Sequence, residues 1–204
     1  MRQRCAVLAV LFAVGLSARA QDAPKAELFA GYSFVNAGFP ANTDPAAGEF
    51  RGFLHGWNLA AAANLNRAVG IVADFGGSYG SPTKITLFKP ANCVLCTGNA
   101  EATLHNIHTF TFGPQIAVRR QELTAFVHAL FGGAHINEDM SFFGNSLPRI
   151  SATSFAMIIG GGVDLRLSAR WIVRFQPDYL RTKILDRTEN NARLSTGLVF
   201  RFGE

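Results

Sequence analysis

The residues with the most chemistry to offer are polar side chains that recur inside apolar stretches. Glu27, Asn58, Asp74, Gln115, Arg119, His128, Asp164, Arg174, Gln176, Asp178 and Arg201 all have hydrophobic residues close by in sequence. Carboxylates, guanidiniums, amides and an imidazole gathered on one side of a sheet would form a buried network, because a charge removed from water must be paired and hydrogen-bonded. The same groups could line a narrow path for protons or ions. Glu27 and Arg201 would meet if the first and last strands of the chain pair with each other.

Other candidates are weaker. Cys93 and Cys96 are separated by two residues in a long polar segment. A redox CxxC needs a helix N-terminus to lower the thiol pKa, and none is visible there. A zinc site needs two more ligands, and the nearest are His105 and His108, past the segment. A loop disulfide is the favoured expectation in an oxidising compartment. His55, His105, His108, His128 and His135 are scattered along the chain, and GxSxG, HExxH and P-loop motifs are absent. The sequence therefore assigns no catalytic residue, no metal site and no cofactor, and predicts a protein that is not an enzyme.

The compartment is read from the N-terminus. Arg2 and Arg4 precede an apolar run from Cys5 to Leu16, and Ala18-Arg19-Ala20 is a small-x-small site. This is a secretory signal over residues 1–20, too short to span a bilayer as a helix. Residues 21–204 form the mature domain, and Gln21 is its expected first residue. Without Arg2, Arg4 and Arg19 the balance is 16 Lys+Arg against 14 Asp+Glu. That small excess, with no dense basic patch, excludes nucleic acid as a partner.

The elements that must position the polar set are strands. In Ser195–Phe202 the residues Thr196, Leu198, Phe200 and Phe202 share one face, and Ser195, Gly197, Val199 and Arg201 the other. A period of two is the mark of a half-buried strand. The same alternation predicts seven further strands, at about residues 25–35, 52–64, 68–79, 103–119, 123–136, 153–166 and 170–182. Pro114 lacks an amide donor, so a bulge or local break is expected there. Long connections, 36–50, 80–102, 137–152 and 183–191, follow the first, third, fifth and seventh strands. Short turns follow the second, fourth and sixth. Even strand number, short turns at one end and long loops at the other describe a transmembrane β-barrel. The 16% charged share is below the soluble norm of about 25% and fits that class. Tyr32, Trp57, Tyr79, Trp171, Tyr179 and Phe202 lie near strand ends, where interfacial aromatic belts would sit.

Ser195, Gly197, Phe200 and Phe202 also resemble the C-terminal assembly signal of bacterial outer-membrane barrels, here followed by Gly203 and Glu204. The whole pattern is similar to the small eight-stranded family that includes the transmembrane domain of outer membrane protein A and the opacity-type surface proteins. The resemblance implies an all-β fold, an eight-stranded antiparallel up-and-down barrel in the outer membrane. It also implies contact with the barrel-assembly machinery during insertion. Outer-membrane lipid is then the surrounding partner, a ligand outside the cell would meet the long loops, and a monomer is the simplest state. The function expected is structural or surface-interacting, with a polar plug inside. A narrow passive pore, a lipid-modifying barrel enzyme and a soluble lipocalin-like barrel are the alternatives. The last would reverse the two faces.

Overall fold

The computed structural model describes residues 24–40, 49–80, 100–142, 145–146, 150–184 and 187–203. The proposed signal segment and Cys93 and Cys96 lie outside them. Nine strands form among the described residues: β1 (Ala26–Pro40), β2 (Glu49–Asn64), β3 (Val69–Gly80), β4 (Ala100–Arg119), β5 (Leu123–Phe142), β6 (Asn145–Ser146), β7 (Ile150–Arg166), β8 (Trp171–Ile184) and β9 (Arg187–Phe202). β6 is a two-residue strand folded back on the end of β5. The other eight make one antiparallel sheet in which each pairs with its sequence neighbour. β1 pairs with β9, and the sheet is closed.

Closure satisfies every edge, which matters because an unpaired amide or carbonyl in hydrocarbon costs several kcal/mol. The register fixes the barrel's shape. Following rungs from Ala26 through Ala63, Ile71 and Pro114, then by the flanking β4–β5 register to Ala129 and on through Ile159, Tyr179 and Ala192, the path returns to β1 at Asn36, ten residues beyond its start. For eight strands that stagger means a tilt of roughly 40°, inside the range of closed barrels.

Three expectations are sharpened or corrected. First, of the bulge or local break expected at Pro114 the structure shows the break: rungs to β5 are interrupted between Phe112 and Gln115, and the register resumes unchanged. A missing N–H removes a rung bond but does not insert a residue. The bulge of β4 lies instead between Leu104 and Asn106. Second, strands run further into the outer connections than predicted. Residues 183–184 and 187–191 continue β8 and β9, paired up to Ile184 and Arg187, where a long loop was expected. Polar side chains there suppress the hydrophobic alternation without opposing backbone pairing. Third, the face turned inward is not purely polar, as described below.

The outward face is predominantly apolar. Leu28, Ile71, Phe75, Phe112, Val127, Ile159, Phe175 and Leu198 are exposed, as are Tyr32, Trp57, Tyr79, Trp171, Tyr179 and Phe202 of the expected belts. A soluble lipocalin-type barrel has the opposite sidedness. At the seam Gly31 faces Gly197. A Cβ on Gly197 would run into the backbone of Ala30 and Gly31, so this residue must be glycine for β1 and β9 to close at this spacing.

Candidate functional site

Alternation places one face of every barrel strand in the lumen, and the polar residues singled out by sequence converge there. Nearest the short turns, Arg174 on β8 grips Asp164 directly opposite on β7, with Nε to Oδ1 at 2.7 Å and Nη2 to Oδ2 at 2.8 Å. A bidentate fork of this kind is the strong form of the pair. The guanidinium also donates to Glu27 at 3.4 Å and lies over the Phe126 ring, 4.4 Å from its centroid. Arg201, opposite Glu27 across the seam, approaches its Oε1 to 3.3 Å, and Arg119 approaches the same oxygen to 3.7 Å. Arg119 is held by Asn64 Oδ1 at 2.8 Å and by the carbonyl of Arg67.

A second group fills the middle. Arg193 reaches across the lumen from β9 to Asp74 on β3, with contacts of 2.8 and 3.2 Å. It also donates to Asp178 on β8 at 2.7 and 3.0 Å. Asn58 donates to Asp74 at 2.9 Å and Gln176 to Asp178 at 2.8 Å. His128 Nε2 stands 2.9 Å from Asp178 Oδ1. Gln115 is buried in the lumen, and its Oε1 has no partner in the structure. The charges balance: Arg119, Arg174, Arg193 and Arg201 face Glu27, Asp74, Asp164 and Asp178.

The lumen also holds two apolar clusters. Phe29, Val72, Leu130, Ile158, Ile172 and Val199 pack around the ionic groups. Val35, Leu54, Ile107, Ala134, Ile136 and Ala156 close the end nearest the long connections. Between Arg193 and that second cluster lies a cavity of about 10 Å³, bordered by Ser33, Ser78 and Thr109. It has room for about one water molecule.

Sequence reasoning missed Arg193, the residue that bridges the two buried carboxylates of the central group. The signal for it was present: Arg193 shares parity with Ser195, Gly197, Val199 and Arg201. The hydrophobic alternation is clear only from Ser195 onward, whereas β9 begins at Arg187. The other sequence candidates are spread out. Ser195 is buried and donates to Ser33 at 3.4 Å across the seam, while Phe200 is packed edge-on between Trp171 and Phe202. His55 and His108 lie on the outward face, hydrogen-bonded to Tyr32 and Tyr79. His135 contacts Thr153 Oγ1 at 2.9 Å and Ser151 Oγ at 3.3 Å. Its Nδ1 partner is a hydroxyl, where a hydrolase histidine has a carboxylate. Among the described residues no three His, Cys, Asp or Glu side chains are grouped to hold a metal.

Comparison with known proteins agrees with this architecture. No curated protein matches the sequence. Among solved structures, the attachment invasion locus protein Ail of Yersinia pestis is similar, with TM-score 0.55 and 16% identity over 87% of this chain and 99% of that one. Neisserial surface protein A has TM-score 0.56 and 11% identity, over 90% of this chain and 100% of that one. Ail in complex with sucrose octasulfate, a heparin analogue, has TM-score 0.53 and 15% identity, over 86% and 97% of the two chains. At these identities the likeness is one of fold. The model of the outer membrane protein beta-barrel domain matches residues 6–202. A closed eight-stranded sheet with an apolar exterior, matched by that model over nearly its whole length, makes this chain a member of the outer membrane protein beta-barrel domain family, located in the bacterial outer membrane.

Proposed function

We propose that the protein is a plugged, non-conducting, non-enzymatic barrel that presents its outer connections as a contact surface. The observation that carries the reading is the filled lumen: two paired ionic groups beneath a buried apolar cluster. A conducting path needs a continuous polar lining, and Val35, Leu54, Ile107 and Ile136 interrupt it, each no more than 2% exposed. Purified barrel in a planar bilayer is expected to give no unitary current steps under voltage. Reproducible steps would overturn the plug and favour the passive pore.

The contact surface differs in charge from one made for polyanions. Ail is described with a heparin analogue. The outer segments of the present chain, residues 36–50, 80–102, 137–152 and 183–191, together carry seven Asp+Glu against five Lys+Arg. That balance favours a neutral or weakly basic partner. Ser195, Gly197, Phe200 and Phe202 supply the assembly signal in the same reading. Residues 1–20 are removed on export, and Cys93 and Cys96 form a disulfide in the second long connection. Intact mass of the exported protein is expected to begin at Gln21 and to be lighter by the two hydrogens a disulfide removes. A mass with residues 1–20 retained, or two free thiols, would remove one or other part.

A further inference from the structure

The two ends of the barrel differ in charge. The end with the short turns, periplasmic by the loop rule, has Lys25 before β1, Arg67 in the β2–β3 turn, Arg120 in the β4–β5 turn, and Arg166 and Arg170 around the β7–β8 turn. Lys25, Arg120 and Arg170 are exposed and Arg67 is half-buried. Among the described residues of this rim only Glu122 opposes them. Arg166 donates to the Ser168 carbonyl at 3.2 Å. No ion pair among the described residues engages the side chains of Lys25, Arg67, Arg120 or Arg170. The outer connections, by contrast, are net acidic.

These cations stand beside exposed apolar groups. Leu65 and Leu167, in the same turns, are 67% and 64% exposed, and Trp171 and Phe202 flank them on the lipid face. Leucine, tryptophan and phenylalanine at this level mark the boundary between hydrocarbon and headgroups. Arg67, two residues beyond Leu65, and Arg170, three beyond Leu167, then lie among the phosphates. Long basic side chains reach into that layer while their stems stay on apolar surface.

We infer that the periplasmic rim is a collar that selects anionic phospholipid headgroups of the inner leaflet. Charge complementarity and depth both favour a lipid over a soluble polyanion: the collar adjoins surface that only a bilayer covers. Basic residues at a membrane surface add attraction roughly one by one, and salt screens it.

The protein's two tryptophans, Trp57 near the outer end and Trp171 at the collar, provide the test. W57F leaves Trp171 as reporter, and W171F leaves Trp57 as the control. Each is refolded into phosphatidylcholine vesicles carrying brominated phosphatidylglycerol or brominated phosphatidylcholine at equal mole fraction. The expected result is that the anionic quencher acts on Trp171 severalfold more strongly than the neutral one, with no such preference at Trp57. The preference should vanish in high salt and in W57F carrying R67Q, R120Q and R170Q, whose folding is checked by gel mobility. Equal quenching of Trp171 by both lipids would overturn the inference. Equal quenching combined with arginine-dependent retention on purified peptidoglycan would assign the collar to the cell wall instead.

Discussion

Arg193→Ala is expected to destabilise the folded barrel by about 3–5 kcal/mol, the range for breaking a buried ion pair from one side. Asp74 and Asp178 are 1% and 6% exposed, and Arg193 is 3% exposed. Removing the guanidinium leaves two like charges facing each other with Asn58, Gln176 and His128 as their remaining partners. It also cuts the link that ties β9 to β3 across the lumen. Urea unfolding in lipid vesicles, followed by tryptophan fluorescence, measures the change as a lower midpoint with an unchanged slope. Arg201→Ala should cost clearly less: it lies near the inner rim, and its Nε has no aligned hydrogen bond.

A companion variant separates loss of pairing from loss of packing. Arg193→Met with Asp74→Asn and Asp178→Asn removes all three charges and keeps the volumes close. Replacing a whole buried ionic group by neutral side chains is often nearly neutral, so this triple variant should recover most of the midpoint. If Arg193→Ala left the midpoint unmoved, the central group would not be holding the barrel. If the triple variant were no better than the single one, the loss would come from packing.

How far this site was legible depended on which strand end a residue occupies. Within the hydrocarbon layer, lipid demands apolar residues on one face, so alternation stands out. Trp171, Val173 and Phe175 against Arg174 and Gln176 gave both the strand and its faces from sequence alone. Beyond the layer water meets both faces, and the demand lapses. β9 continues to Arg187 through Thr188, Asn190 and Asn191, residues that read as loop. Arg193 falls between that connection, 183–191, and the alternation that starts at Ser195, so sequence alone leaves it outside the network. The apolar part of the lumen was missed for a related reason. Alternation distinguishes two faces but does not forbid hydrophobic side chains on the inner one. Ile172 and Val199, both fully buried in the lumen, look in sequence like their lipid-facing neighbours. Pairings across the lumen, such as Arg193 with Asp74, depend on stagger, and stagger emerges only when all eight registers are known.

Phe175→Arg makes the lipid itself the measured quantity. Phe175 is 47% exposed on the outward face. On β8 it lies midway between Trp171 and Tyr179, four residues from each belt. An arginine at the bilayer midplane of a barrel costs about 2–4 kcal/mol, falling to about 0–1 kcal/mol near the interface. Trp171→Arg on the same strand should therefore cost much less of this electrostatic penalty, although it also loses the edge-on contact with Phe200. The depth dependence is the diagnostic result, because a sheet facing water would accept either arginine within about 0.5 kcal/mol. Folding into vesicles across a urea series, scored by gel mobility so that loss of Trp171 does not remove the signal, gives both values on one scale. A midplane penalty clearly above the rim penalty requires hydrocarbon against Phe175. Equal small penalties would mean that water covers this face, and the filled lumen would then be the core of a soluble barrel.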